Sequence, residues 1–324
     1  MLSDAVKDAK PLVYVPNSKS NTVSVIDPVS MSVIATYPTG TEPQHVVPSY
    51  DLKSLYVVAD LGPGAFTEID PKTGVPVKTF TMNDPYNLYF TPDGMYGIVV
   101  AEALKQLDFY DPHSWQLHDS VSVPECAGID HMDFTADGKT MVATCEFADK
   151  IAVFDVASHT LLRMITLPNR ADGMPQDIKL SPDGQTFYVA DMMADGVYTL
   201  DGQANAVTGF IPTGKMAHGL YVDRESKRLF VTNRGEGSIS VIDLATKQVA
   251  TKWEIPGGGS PDMGNLSADG TQFWVAGRYN GVVYVISTVD GTLIKKIPVG
   301  NGPHGLTWWP QPGRYSLGHT GIMR

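Results

Sequence analysis

Apolar and polar positions alternate along almost the whole chain in short runs rich in Val, Ile, Tyr, Phe and Thr, which is the pattern of half-buried β-strands. LVYVPN (12–17), TVSVID (22–27), RLFVTN (228–233) and SISVID (238–243) are examples, and Gly, Pro, Asp and Asn separate one run from the next. No segment carries the 3.6-residue apolar stripe of an amphipathic helix. None approaches the roughly 18 consecutive apolar residues of a membrane-crossing helix. The turn Pro92-Asp93-Gly94 returns as Ala136-Asp137-Gly138, Pro182-Asp183-Gly184 and Ala268-Asp269-Gly270, the chemistry of a tight hairpin between two adjacent strands.

The runs form a larger period. A β-rich run, a short polar gap and a second run closing on Asp or Ser recur, with the closing residue at Asp27, Asp70, Asp111, Asp155, Asp201, Asp243 and Ser287, in steps of 41 to 46 residues. The repeats span about 11–54, 55–95, 96–139, 140–185, 186–228, 229–272 and 273–312, followed by a tail, 313–324. Four strands fall in each. An open array of such sheets leaves strand edges exposed, whereas radial packing protects them. The expectation is an all-β, single-domain chain (1–324): a seven-bladed β-propeller with four-stranded antiparallel blades. The chain begins on a second-type strand and ends on a first-type one, HGLTWW, so residues 304–309 are expected to pair with the N-terminal blade and close the fold.

Composition narrows the partners. With 35 acidic and 24 basic residues the net charge is −11, which opposes the counterion-release binding that drives association with nucleic acid. The N-terminal MLSDAVKDAK shows neither a basic region nor an apolar core of a secretory signal, so the cytoplasm stays open, and a monomer is expected.

The segments YVPNSKSNTVSVID, YVAD and VTNRGEGSISVID resemble the YVTN-type repeat of YncE-like β-propeller proteins, over roughly residues 11–312. The resemblance implies a periplasmic or extracellular location. It also implies a fold shared with lactonases and with propellers that carry redox cofactors. Some relatives bind nucleic acid, which the charge of this chain argues against.

Candidate chemistry gathers where first strands begin. The lead-in segments read PQHVV, PYNLY, IDHMD, PQDIK, AHGLY, PDMGN and PHGLT, one per blade. Four of the eight histidines, His45, His131, His218 and His304, sit there at separations of 86, 87 and 86, and are expected to converge at one channel mouth. Their registers differ by one position, which in a strand reverses side-chain direction. Asn87, Gln176, Asp177, Asp262 and Met263 occupy the other lead-ins. Imidazoles suit zinc or copper, so these histidines are the candidate metal ligands. The alternative is that they only hydrogen-bond between blades.

A second set, Asn17, Asp60, Glu102, Glu146, Asp191 and Asn233, ends the second strands. Short side chains here are expected to satisfy adjacent turns, leaving Glu102 and Glu146 as partners that orient a histidine. Arg234 and Arg278 stand in the gaps of successive blades, as a carboxylate or phosphate clamp or as ion-pair residues. Met174, Met192, Met193 and Met216 lie in nearby loops. A disulfide between Cys126 and Cys145 is the leading expectation, with two thiols at a copper site or two buried inert cysteines as alternatives. His319, in the tail, is expected to cross the opposite face, remote from the ring. His113, His118 and His159 are expected in solvent.

Three functions fit this pattern. The first is a copper- or zinc-binding propeller, with a redox enzyme as its sharpest form. The second is a metal-free, lactonase-like hydrolase with a histidine base beside Asp177 or Asp262. The third is a rigid platform for another protein. A metal ion or small molecule at the mouth is the partner expected under the first two.

Overall fold

The structure is a computed structural model that describes every residue except 169–171 and 320–321. Its only helical element among the described residues is one 3-10 turn, Asp4–Val6; the rest is strand and turn. Seven four-stranded antiparallel sheets follow one another along the chain, and the molecule is a seven-bladed β-propeller. Two compact units are distinguished: Met1–Val100 with Phe109–His118 and Pro261–Arg324, and Ala101–Asp108 with Asp119–Ser260. The first contains blades one, two and seven, the second blades four, five and six.

Within a blade the strands differ in burial for a reason visible in their residues. In blade one the strand Leu12–Asn17 is buried throughout, whereas the outermost strand, Ser32–Pro38, alternates exposed and half-buried positions. The former carries apolar side chains on both faces, and the latter places Val33, Ala35 and Tyr37 inward with polar residues between them. Val13, Val15 and Ile26 of blade one pack with Trp274, Val283 and Val285 of blade seven; Val142, Ile151 and Val153 of blade four pack with Val189 and Leu200 of blade five. Each such Val or Leu, fully buried, contributes roughly 1.5–3 kcal/mol. The strand Thr307–Trp309 pairs antiparallel with Leu12–Asn17.

The residues that mark the repeat have structural work. Asp27, Asp70, Asp111, Asp155, Asp201 and Asp243 each accept a backbone N–H two or three residues on, at 2.7–3.0 Å, closing the turn between third and fourth strands. Those hydrogen bonds hold the Asp27, Asp111, Asp155 and Asp243 carboxyls below the usual range. In the Asp-Gly turns the preceding Thr91, Thr135, Ser181 and Ser267 hydroxyls donate to Asp93, Asp137, Asp183 and Asp269 at 2.5–2.7 Å.

The tail is not a loose terminus. Leu317 N–H donates to Ile322 O (2.8 Å) and Arg324 N–H to Tyr315 O (3.0 Å), so the described residues of 314–324 run out and back as a hairpin. Its outgoing arm lies against the first strand of blade three, with Phe90 N–H donating to Leu317 O and His319 N–H to Leu88 O. Gly318 makes this approach possible: a Cβ there would stand 2.4 Å from Leu88 O and from Tyr89 Cα.

Candidate functional site

The lead-in residues are aimed by β-bulges. On the first strands of blades two, four, five, six and seven the register slips, between Pro43 and His45, Ile129 and Met132, Pro175 and Ile178, Ala217 and Leu220, and Pro261 and Gly264. One extra residue in each bulge breaks strict alternation and re-aims side chains at the strand entrance. The bulges leave backbone groups without ladder partners. Thr144 supplies them around His131, accepting its N–H (3.1 Å) and donating to its carbonyl (3.2 Å), and Thr232 accepts from Gly219 N–H (2.7 Å) beside His218. In Val231-Thr232-Asn233 the valine therefore fills the core and the threonine completes the bulge. Asn233 ties Ser238 and Ser240, donating to each hydroxyl at 2.9 Å.

In the first unit, three imidazoles are clustered. His45, His304 and His319 are all at least 97 % buried, with ring centroids 4.9 Å (His45–His304) and 5.1 Å (His45–His319) apart. His319 thus lies beside a lead-in histidine, not remote from it: the tail turns back along blade three instead of crossing the far face. Asn87 orients it, donating from Nδ2 to His319 Nδ1 (3.2 Å), which leaves the proton of the neutral ring on Nε2. Tyr86 meets His45 edge-on at 5.4 Å. Gly305, of the Pro-His-Gly segment, has no Cβ because His45 Nδ1 would lie 2.1 Å from it.

His304 Nδ1 donates to Gln44 O (3.2 Å), and its Nε2 lies 3.6 Å from Asp262 Oδ2. The same carboxylate oxygen is 3.7 Å from Arg278 Nε, and the Arg278 side chain is mostly buried. Met263, next to Asp262 in the bulge, is fully buried.

In the second unit, His131 is fully buried with Nε2 3.3 Å from Asp130 Oδ1, and burial, with Lys179 adding to it, pushes its pKa down to about 3. It is a neutral ring. His218 is 2 % exposed. Asp177 accepts Leu220 N–H (2.8 Å), and Asp133 in the same way accepts Leu180 N–H (2.8 Å); both brace one first strand to the next. Burial raises the Asp177 pKa to about 6. Gln176 donates to Met174 O (3.3 Å), and Arg234 Nη2 lies 2.7 Å from Met192 Sδ. Glu102 and Glu146 open the turns that follow the second strands of blades three and four and are half-buried.

Cys126 and Cys145 form a disulfide, and no free cysteine remains among the described residues, which removes thiol ligation of copper. His113 and His118 are exposed, but His159 is not in solvent: it is 6 % exposed with Nδ1 3.1 Å from both Asp119 oxygens. The missed residue with the greatest consequence is His319. Its only sequence signal is the small-residue frame Ser316-Leu317-Gly318-His319, which lets a backbone run close to another.

The sequence profile described as YNCE-like beta-propeller matches residues 3–311. Among curated relatives, antigen Lp49 of Leptospira interrogans is 29 % identical over 157 residues, covering 41 % of this chain but only 34 % of its own length. A 6-phosphogluconolactonase of Serratia proteamaculans is 24 % identical over 69 % of this chain and 74 % of its own. Among solved structures, the Pseudomonas aeruginosa periplasmic gluconolactonase PpgL superposes with a TM-score of 0.74 at 18 % identity, covering 91 % of this chain and 98 % of its own. That likeness is one of fold.

Proposed function

Since the chain belongs to the YncE-like β-propeller family, whose fold hosts unrelated activities, we propose that it is a metal-binding protein that holds copper or zinc through its clustered imidazoles. The observation that carries this is the His304–Asp262 pair. With its Nδ1–H committed to Gln44 O, His304 presents Nε2 to a carboxylate oxygen 3.6 Å away. A buried imidazole nitrogen and a buried carboxylate oxygen at this spacing form a donor pair suited to a metal ion, with Arg278 Nε 3.7 Å from the same oxygen. Ligands at about 2.0–2.2 Å from one zinc ion stand up to about 4 Å apart, which spans the gap. His45 lies within reach of His319, which must give up its hydrogen bond from Asn87 or its Nε2 proton to join as a donor. His131 and His218, in the second unit, are candidate ligands in their own right, each to be tested singly. Bound copper supplies one-electron chemistry and zinc a Lewis acid. The Cys126–Cys145 disulfide supports the periplasmic or extracellular placement.

Metal analysis of tag-free protein, dialysed after exposure to equimolar copper or zinc, tests this. Stoichiometric retention that falls in both His304→Ala and His45→Ala is the expected result. No retained metal, or retention unchanged in both variants, overturns it.

A second reading, a metal-free lactonase-like hydrolase, is favoured by the 24 % identity to a 6-phosphogluconolactonase and by Arg278 beside the His304–Asp262 pair, where it would hold an anionic sugar acid. Lactone hydrolysis in excess chelator, lost in His304→Ala, is the result that selects this reading.

A further inference from the structure

We propose that the second unit binds a hard divalent cation of the calcium class between Asp149 and Asp191, at a site separate from the imidazoles. Asp191 ends the second strand of blade five (Thr186–Asp191) and is fully buried. Its Oδ1 accepts three backbone N–H groups, from Met174 (3.1 Å), Met193 (3.0 Å) and Ala194 (2.9 Å). Its Oδ2 has no hydrogen-bond partner among the described residues. Asp149, in the turn after Thr140–Cys145 of blade four, is 8 % exposed, and its Oδ1 is likewise without a partner among them.

Both oxygens face Gly173. A Cβ at that glycine would lie 2.1 Å from Asp149 Oδ1 and 3.1 Å from Asp191 Oδ2, so the oxygens are no farther apart than those two distances laid end to end. Two oxygens on opposite sides of a calcium ion, at 2.3–2.6 Å each, stand about 4.6–5.2 Å apart. That limit admits the ion, and the missing Cβ leaves room beside both oxygens. Water and backbone oxygens complete a six- to eight-fold shell.

The charge points the same way. Beside this geometry, burial first, then Asp191 and Asp172, push the Asp149 carboxyl up to about 6. Lys150, next in sequence, is 3.6 Å from Glu125. Oxygen donors alone select calcium, magnesium or manganese over copper and zinc.

The test is calorimetric titration of the chelator-stripped full chain with calcium chloride, then with magnesium chloride, near pH 7.5. One saturable site is expected, weakened at least about tenfold in Asp149→Asn and unchanged in His304→Ala. Calcium is also expected to raise the melting temperature of the unsubstituted chain. Absence of binding by that chain, or equal affinity in Asp149→Asn, overturns the proposal. So does a melting temperature of the unsubstituted chain that calcium leaves unchanged while Asp149→Asn melts higher in metal-free buffer, the signature of two carboxyls sharing one proton. Should Asp149→Asn fail to fold, Asp191→Asn serves instead, because it leaves an oxygen for the three backbone donors.

Discussion

The last residue of the second strand recurs through the propeller, and blades six and five use it in different ways. In blade six, Asn233 donates to Ser238, which stands opposite it on the third strand, and to Ser240 two residues on, and accepts Gly214 N–H at 3.1 Å. Blade one repeats this arrangement with Asn17 donating to Thr22 (3.1 Å) and Ser24 (2.9 Å). In blade five the opposing positions are Gly196 and Tyr198, neither of which offers a hydroxyl at that spot, so one oxygen of Asp191 is left facing Asp149. Blade two has Asp60, one residue before the end of Leu55–Leu61, with one oxygen accepting from Gln44 Nε2 (3.2 Å) and the other without a partner among the described residues. The same position is therefore a cross-strand tie where the neighbouring strand supplies Ser or Thr, and a buried negative charge where it does not. What the residue does is set by its neighbour.

The largest effect should come from removing the more heavily used side chain. Asp191→Ala strands three backbone N–H groups, that of Ala194 buried and those of Met174 and Met193 partly so, and is expected to cost about 3 kcal/mol in urea unfolding. Asn233→Ala strands Gly214 N–H and two hydroxyls that can re-aim, and should cost about 2 kcal/mol. Equal costs would mean that the two positions are interchangeable after all.

Asp60→Asn should show the smallest effect and the opposite sign. Burial first, and Glu42 and Asp84 in addition, raise the Asp60 pKa to about 7 against the hydrogen bond from Gln44. Between pH 4 and 7 the folded chain thus binds a proton that the unfolded chain has released, and Asp60 lowers stability as pH rises through that window. Asp60→Asn should match the parent near pH 4 and melt a few degrees higher at pH 8. A gain that is the same at both pH values would assign it to something other than this charge.

Much of the fold was legible because its signals are local. The Asp of each third-strand turn and the Ser/Thr-x-Asp-Gly of each hairpin are short-range hydrogen-bonding devices, so they recur in sequence wherever they recur in space. The histidine lead-ins were legible as positions. Their direction was not, since the bulges that aim them depend on pairing with the second strand. His319 was misplaced because nothing local indicates that Gly318 lets the tail lie on blade three. His159 was misjudged for a similar reason: its partner Asp119 is forty residues away.

By itself the sequence determined the strand content, the seven repeats, the turn chemistry and the position of four lead-in histidines, all consequences of alternation and of contacts within one repeat. Tertiary structure alone decided that His319 joins His45, that Asp177 is a brace between strands, and that Asp149 meets Asp191. Each of these depends on residues from different blades or from the tail, and the distance between such residues is set by packing.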